Sequence, residues 1–304
     1  MSERHIEVVE VGPRDGLQGE PRTLPIERRK AFIDRAVASG IRRLEVASFV
    51  HPKRVPQMAD AEGLLEALDY DNGATYIGLV LNQRGLDRAL TTPVHEIGMA
   101  VIASDTYNQK NQGVGTAESV AAWWQMAEQA RAAGKRISVM LSSAFGCPFE
   151  GEVPEDLVVE LAHAVMAAEP DELAIADSIG VAVPAQVTRL CRRLREAFPD
   201  VPLRCHFHNT RNTGLANAQA AVDAGASSLD ASIGGIGGCP FAPAATGNIP
   251  TEDLVYLLQR SGVDTDVDLE ALIKTSEWLA TELDHSLPAL LPRAGLFPPA
   301  PTLR

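Results

Sequence analysis

The chain has 304 residues, 45% of them hydrophobic, and a formal net charge of −13 at pH 7. That length and apolar content support a sizeable core, as one large α/β domain or as two smaller ones. The acidic balance argues against broad nucleic-acid or anionic-membrane binding, which needs a basic footprint, and no run of about 18 apolar residues offers a membrane span.

The start, MSERHIEVVEVG, enters a strand-like run directly, without the basic, apolar and small-residue segments of a signal peptide. Four cysteines (Cys147, Cys191, Cys205 and Cys239) lie far apart and form no CxxC. That spacing fits reduced thiols in a cytoplasm better than a disulfide framework. A soluble, cytoplasmic protein is the expectation.

In chain order, β-branched apolar runs predict strands at Ile6–Val11, Arg43–Ser48, Thr75–Val80, Glu96–Ile102, Arg136–Ser142, Glu172–Asp177, Pro202–His208 and Ser227–Ile233. Helix candidates lie between them. Ile26–Ser39, Ala117–Ala133 and Leu215–Ala224 each run into a glycine, a good C-terminal stop. Pro154 and Pro184 stand where a first helical turn would begin. Eight strands alternating with helices, with no obvious linker, predict a parallel α/β architecture. Eight units fit a closed (β/α)8 TIM barrel, which takes about 250 residues. An open doubly wound sheet is the runner-up, weakened by the lack of GxGxxG after the first strand. We expect one catalytic domain over residues 1–304, with a helical and proline-rich C-terminal extension over about 264–304.

Barrels of this kind carry their chemistry at the C-terminal ends of the strands. There the sequence places Arg14, Asp15 and Gln18 in GPRDGLQ after the first strand, Glu45 in the second and Asp177 at the end of the sixth. His206 and His208 end the seventh, and Cys239 and Asn248 lie in GGIGGCPFAPAATGN after the eighth. In a strand the two histidines point the same way. Closure makes strands seven, eight and one neighbours, so Asp15, the histidines and Asn248 can converge. One carboxylate, two imidazoles and an amide oxygen suit Mg²⁺ or Mn²⁺, and Zn²⁺ less clearly. Each signal also has an ordinary structural explanation. An aspartate after a strand forms turns, GGIGG is a flexible turn or an anion nest, and a lone cysteine packs as a small hydrophobe. Their shared rim favours a site.

VEVGPRDGLQGEP (Val9–Pro21), LEVASFVHPKRVPQMAD (Leu44–Asp60), GCPFEG (Gly146–Gly151), ADSIG (Ala176–Gly180) and GGIGGCPFAPAATGNIPTEDLVYLL (Gly234–Leu258) together resemble the 3-hydroxy-3-methylglutaryl-CoA lyase family. That family belongs to metal-dependent barrel lyases and condensing enzymes. The resemblance runs from about Glu7 to Leu258. It implies a TIM barrel, a bound divalent cation, and cleavage of a 3-hydroxyacyl-CoA into acetyl-CoA and a ketone-bearing acid. It further implies Asp15, His206, His208 and Asn248 as metal ligands, Arg14, Asp177 and Cys239 at catalytic positions, and Glu45 as a supporting carboxylate. The glycine loop differs from the ERAGN type of related synthases, which disfavours an acetyl-CoA-dependent condensing enzyme. The expected partner is an acyl-CoA thioester, with no nucleic acid and no membrane, and a homo-oligomer is expected.

One departure bears on substrate. The family usually reads HxHDTYGQ where this chain reads HFHNTRNTG. Asn209 replaces an acid and Arg211 a tyrosine. An arginine at this rim meets a carboxylate or a CoA phosphate, or is a solvated first-turn residue of the next helix. Hence the same chemistry on another branched 3-hydroxyacyl-CoA stays open. Lys53, Arg54 and Lys110, in loops after strands two and four, are the candidates for the CoA phosphates.

Overall fold

Short Val/Ile/Leu-rich runs buried on both faces pair as parallel strands, and the longer amphipathic runs cover them as helices. In the computed structural model, which describes residues 4–238 and 247–298, eight such strands close into a barrel. They are β1 (Glu7–Glu10), β2 (Arg43–Ser48), β3 (Thr75–Val80), β4 (Glu96–Ile102), β5 (Arg136–Ser142), β6 (Glu172–Asp177), β7 (Leu203–Phe207) and β8 (Ser228–Ala231). Every neighbouring pair is parallel, and β8 closes on β1 with Glu7 opposite Ser228 and Glu10 opposite Ala231. This is the (β/α)8 TIM barrel expected from the alternation.

The helices are α1 (Ile26–Ala38), α2 (Ala61–Ala67), α3 (Gln83–Ala89), α4 (Asp105–Gln112), α5 (Thr116–Ala132), α6 (Glu155–Met166), α7 (Pro184–Ala197), α8 (Gly214–Asp223), α9 (Thr251–Arg260) and α10 (Leu269–Leu283). In α1, Phe32, Ile33, Ala36 and Val37 are buried, the apolar stripe that a 3.6-residue period turns toward the barrel. Pro184 occupies the first turn of α7, where its missing N–H costs nothing. Pro154 stands one place earlier, at the N-cap of α6.

Three strands are shorter than their apolar runs. Pro202 has no N–H to give to the ladder, so β7 starts at Leu203. His208 leaves β7 and pairs instead with Asn248, while Ser232 leaves β8 and pairs with Pro250. β1 ends before Val11 because the chain winds into a tight turn over Gly12–Gly16. The departures at Val11, His208 and Ser232 occur at the C-terminal rim, where the backbone turns inward to build a site.

The proline-rich end is more ordered than its composition suggests. Phe32 of α1 meets Trp278 of α10 with ring centroids 6.4 Å apart. Beyond α10 the Ala289 N–H donates to the Gly234 carbonyl (3.1 Å), and the Asp253 carboxylate accepts the Leu290 and Leu291 amides. The extension therefore braces the base of the loop after β8.

Inside the lower barrel the usual aliphatic layer is replaced by charge. Arg43, 1% exposed, donates twice to Glu96 and twice to Glu172. Ser138 and Ser228 donate to the same two carboxylates. Burial alone would raise the Glu172 carboxyl, but Arg204 and Arg43 hold it below its ordinary value.

Candidate active site

The turn after β1 aims Arg14 and Asp15 across the barrel mouth. The Asp15 amide donates to the Val11 carbonyl at 2.7 Å, which fixes the direction of the carboxylate. Its two oxygens accept from Arg14 Nη1 (2.7 Å) and Asn248 Nδ2 (2.9 Å). Arg14 Nε also donates to Glu45 on β2. His206 on β7 and His208 just past its end bring their rings together, with centroids 5.1 Å apart. One potential ligand atom from each of Asp15, His206 and His208 lies within 4.8 Å of the others. Residues from β1, β2, β7 and the segment after β8 thus converge.

Two buried polar atoms at this cluster have no hydrogen-bond partner among the described residues: Nδ1 of His208 and Oδ1 of Asn248. Orphaned buried polar atoms are costly, and here they belong to two of the four residues expected to bind metal. Asn248 gives its amide protons to Asp15 and to the Ile236 carbonyl, which leaves its oxygen free. His206 Nδ1 is 3.1 Å from Asp230 Oδ2. With the proton held on Nδ1, Nε2 presents a lone pair. A carboxylate, two imidazoles and an amide oxygen fit a divalent cation.

The electrostatics agree. Burial would raise the Asp15 carboxyl, but Arg14 and the two histidines more than offset it and bring it to about 2. Burial, aided by His206, pushes His208 down to about 4, so it is neutral and ligand-competent at neutral pH. Burial opposes the charge of Arg14, yet Glu45 and Asp15 raise it, so the guanidinium stays protonated. Burial pushes Glu45 upward against the pull of Arg14.

A cavity of about 990 Å³ opens over this cluster. Arg14, Asp15, Gln18, Glu45, His206 and His208 line its inner part, and Arg54, Arg84 and Lys110 also border it. Four of the expected and described positions do not line it: Asn248, which reaches the cluster by donating to Asp15, and Asp177, Lys53 and Arg211. Asp177 is 1% exposed and outside the lining, and its oxygens accept the Val181 and Ala182 amides at 2.9 Å each. Burial raises it. Lys53 is exposed and off the cavity. Arg211 donates to the Ile179 and Gly180 carbonyls and ties down the turn after β6, while Asn209 Oδ1 accepts the Gly214 amide at the start of α8. The NTR segment therefore does local backbone work. Cys239 lies outside the described residues, and Gly238 beside it lines the cavity.

Gly237 shows why the loop is glycine-rich. Its φ is +106°, and a Cβ there would come within 2.6 Å of Asn248 Nδ2 and 3.1 Å of the Asp15 carbonyl. Only glycine lets this backbone pass so close to the cluster. Sequence reasoning missed Asp230, Arg204 and Arg84. For the first two a signal existed: a charged residue at an inward position of an otherwise apolar strand.

The fold and site define a TIM-barrel enzyme with a cluster at its C-terminal rim, Asp15, His206 and His208, that could hold a divalent metal ion. The HMGL-like family model matches residues 5–279, and the chain belongs to that family of metal-dependent lyases. It is 43% identical over 300 residues to (R)-citramalyl-CoA lyase of Chloroflexus aurantiacus, covering 95% of each chain. It is 39% identical to hydroxymethylglutaryl-CoA lyase YngG of Bacillus subtilis, covering 94% of this chain and 96% of that one. Among solved structures it is similar to an HMG-CoA lyase from Acinetobacter baumannii in complex with coenzyme A and 3-methylmalate. That match has a TM-score of 0.94 at 36% identity and covers 100% of this chain and 98% of the other. Among the described residues no helix is long and apolar enough to cross a membrane.

Proposed function

We propose that this enzyme cleaves a branched 3-hydroxyacyl-CoA bearing a free carboxylate, releasing acetyl-CoA and an oxoacid. 3-Hydroxy-3-methylglutaryl-CoA, which would yield acetoacetate, is the first reading. Citramalyl-CoA, which would yield pyruvate, is the second, favoured by the 43% identity to a lyase named for it. The observation that carries the proposal is the convergence of Asp15, His206 and His208 beside Arg14 in one cavity, with Asn248 hydrogen-bonded to Asp15 and buried polar atoms of His208 and Asn248 left unpaired among the described residues.

Asp15, His206, His208 and Asn248 would hold Mg²⁺ or Mn²⁺. When bound, the cation supplies Lewis acidity that eases loss of the tertiary hydroxyl proton. A carboxylate takes that proton. Asp177 is the candidate from the family resemblance, and Glu45 is the carboxylate that faces the cavity. The bond between the second and third acyl carbons then breaks. Its electron pair becomes the acetyl-CoA enolate, and the third carbon becomes a ketone. Arg14, held by Glu45 and Asp15, is placed to stabilise the enolate oxygen. Cys239 is our candidate for the acid that protonates the enolate carbon. Arg54 and Lys110, with Arg84, are proposed for the CoA phosphates, and Gln18 for the acyl group.

The test incubates the protein with Mg²⁺ or Mn²⁺ and each thioester, following acetyl-CoA and the ketone product. We expect metal-dependent release of acetyl-CoA with acetoacetate or pyruvate. No acetyl-CoA from either thioester sinks the lyase reading, and free CoA arising from acetyl-CoA plus an oxoacid would favour condensation instead. Comparing Asp177→Asn with Glu45→Gln separates the two candidate bases, because only loss of the true base removes the alkaline plateau of turnover.

A further inference from the structure

β7 alternates faces, so Arg204 shares the inward side with His206 two residues later. Arg204 is 2% exposed, yet it lines the same cavity as Asp15 and both histidines. A guanidinium has five N–H donors in a fixed fork and needs partners for them when buried. Nε lies 3.0 Å from Glu172 Oε2, and Nη1 lies 3.5 Å from Asp230 Oδ1. Those distances make ion pairs, but the angles do not make hydrogen bonds. Nε, Nη1 and Asp230 Oδ1 are all buried without a hydrogen-bond partner among the described residues. Direction decides whether a donor is used, so the charge is neutralised while these two donors go without a hydrogen bond among the described residues. Both carboxylates also serve elsewhere, Glu172 on Arg43 and Asp230 on His206.

The other cations of the cavity are placed differently. Arg14 is engaged by Glu45 and Asp15 and Arg88 by Glu62, and Arg54, Arg84 and Lys110 lie on segments that follow the ends of β2, β3 and β4. Beside Arg204, the inward residues Gly98, Ala100, Met140 and Ala176 leave a small or apolar wall.

We propose that Arg204 is the residue that recognises the acyl carboxylate, restricting the enzyme to 3-hydroxyacyl-CoA thioesters that carry a free acid; this rests on the thioester-lyase reading above. An incoming carboxylate accepts from the unused N–H groups in a charge-assisted pair. A neutral acyl group leaves the same donors unpaired, and a site built to bond a group rejects the analogue that lacks it.

The experiment compares wild type, Arg204→Met and Arg204→Lys on three thioesters with Mg²⁺ or Mn²⁺ present. Two carry an acid, 3-hydroxy-3-methylglutaryl-CoA and citramalyl-CoA. The third, 3-hydroxy-3-methylbutyryl-CoA, does not, and it is followed by cleavage or by competitive inhibition. Wild type should favour an acid. In Arg204→Met, kcat/KM for that acid should fall about ten- to hundredfold, the worth of one hydrogen bond to a charged group, mainly through KM. Affinity for the neutral thioester should hold or improve, and Arg204→Lys should recover part of the loss. Equal losses on acid and neutral thioesters would make Arg204 a support for Glu172 and Asp230 and overturn the assignment while the lyase reading stands. Cleavage of none by wild type overturns the lyase reading, and the assignment with it. If Arg204→Met does not fold, the acid-to-neutral ratio in Arg204→Lys decides: a tenfold fall supports the role and an unchanged ratio ends it.

Discussion

The two ends of the barrel interior are both buried and both charged, but only one is satisfied. At the lower end, Arg43 bonds Glu96 and Glu172 through paired contacts, and Ser138 and Ser228 fill further positions on the same carboxylates. At the upper end, Asn248 Oδ1 and His208 Nδ1 have no partner among the described residues, and Asp15 is held ionised near a pair of histidines. Charge alone therefore does not mark a site. The lower cluster closes on itself and acts as packing, whereas the upper one has acceptors to spare and is shaped for a cation. Arg204 and Asp230 link the two: Arg204 pairs with Glu172 below, Asp230 with His206 above, and the two pair with each other.

The sharpest way to break this contrast is Asp15→Ala. Metal-dependent turnover should drop to background and bound metal should fall, while the circular dichroism spectrum stays native. Activity equal to wild type would remove Asp15 from the ligand set. Next in size is Arg43→Met at the closed end. It removes the central cation of two buried carboxylates, which keep only Arg136 and Arg204, and denaturant unfolding should show a loss of about 3–5 kcal/mol. The folded fraction should bind Mn²⁺ as before. A large change in metal affinity with little change in stability would merge the two regions.

Asp230→Asn probes the boundary. Losing the carboxylate behind His206, a proposed metal ligand, should weaken Mn²⁺ binding about 10- to 100-fold, read by titration calorimetry. Unchanged affinity would mean that His206 is oriented by packing alone. The smallest effect is expected at Glu10, whose carboxylate accepts the Gly12 and Ile233 amides and the Thr251 hydroxyl. Burial, the largest influence, raises it to about 8 from 4.5. The folded state then holds a proton that the unfolded chain has lost, so this contribution is full below 4.5 and fades as pH rises through about 8. Glu10→Gln keeps the acceptor oxygen but cannot ionise. Its Tm should decline less than wild type between pH 5 and 8.5, and parallel Tm profiles would contradict the raised carboxyl.

Much of the fold was legible because each barrel strand is a short apolar run bounded by polar or glycine residues, and side-chain burial reports that directly. The strand ends were read one or two residues too long at Val11, His208 and Ile233, where apolar or polar character continues but the backbone turns into the rim. The site residues Arg14, Asp15, Glu45, His206 and His208 were legible because chemistry in this architecture gathers at strand ends. Arg211 shows the reverse case. Its position beside the histidines suggested substrate contact, yet its side chain folds back on the Ile179 and Gly180 carbonyls, a choice that depends on where the neighbouring turn lies.

By itself, then, the amino-acid sequence determined the strand and helix order, the barrel and the candidates for a metal-binding set, since periodicity and residue chemistry are local properties. Only the tertiary structure decided which charges are consumed and which are free. Arg43 meets Glu96 and Glu172 across 53 and 129 residues, and Asn248 meets Asp15 across 233. Whether a buried polar atom is satisfied depends on such distant partners and on hydrogen-bond angles, which the closure of the barrel sets.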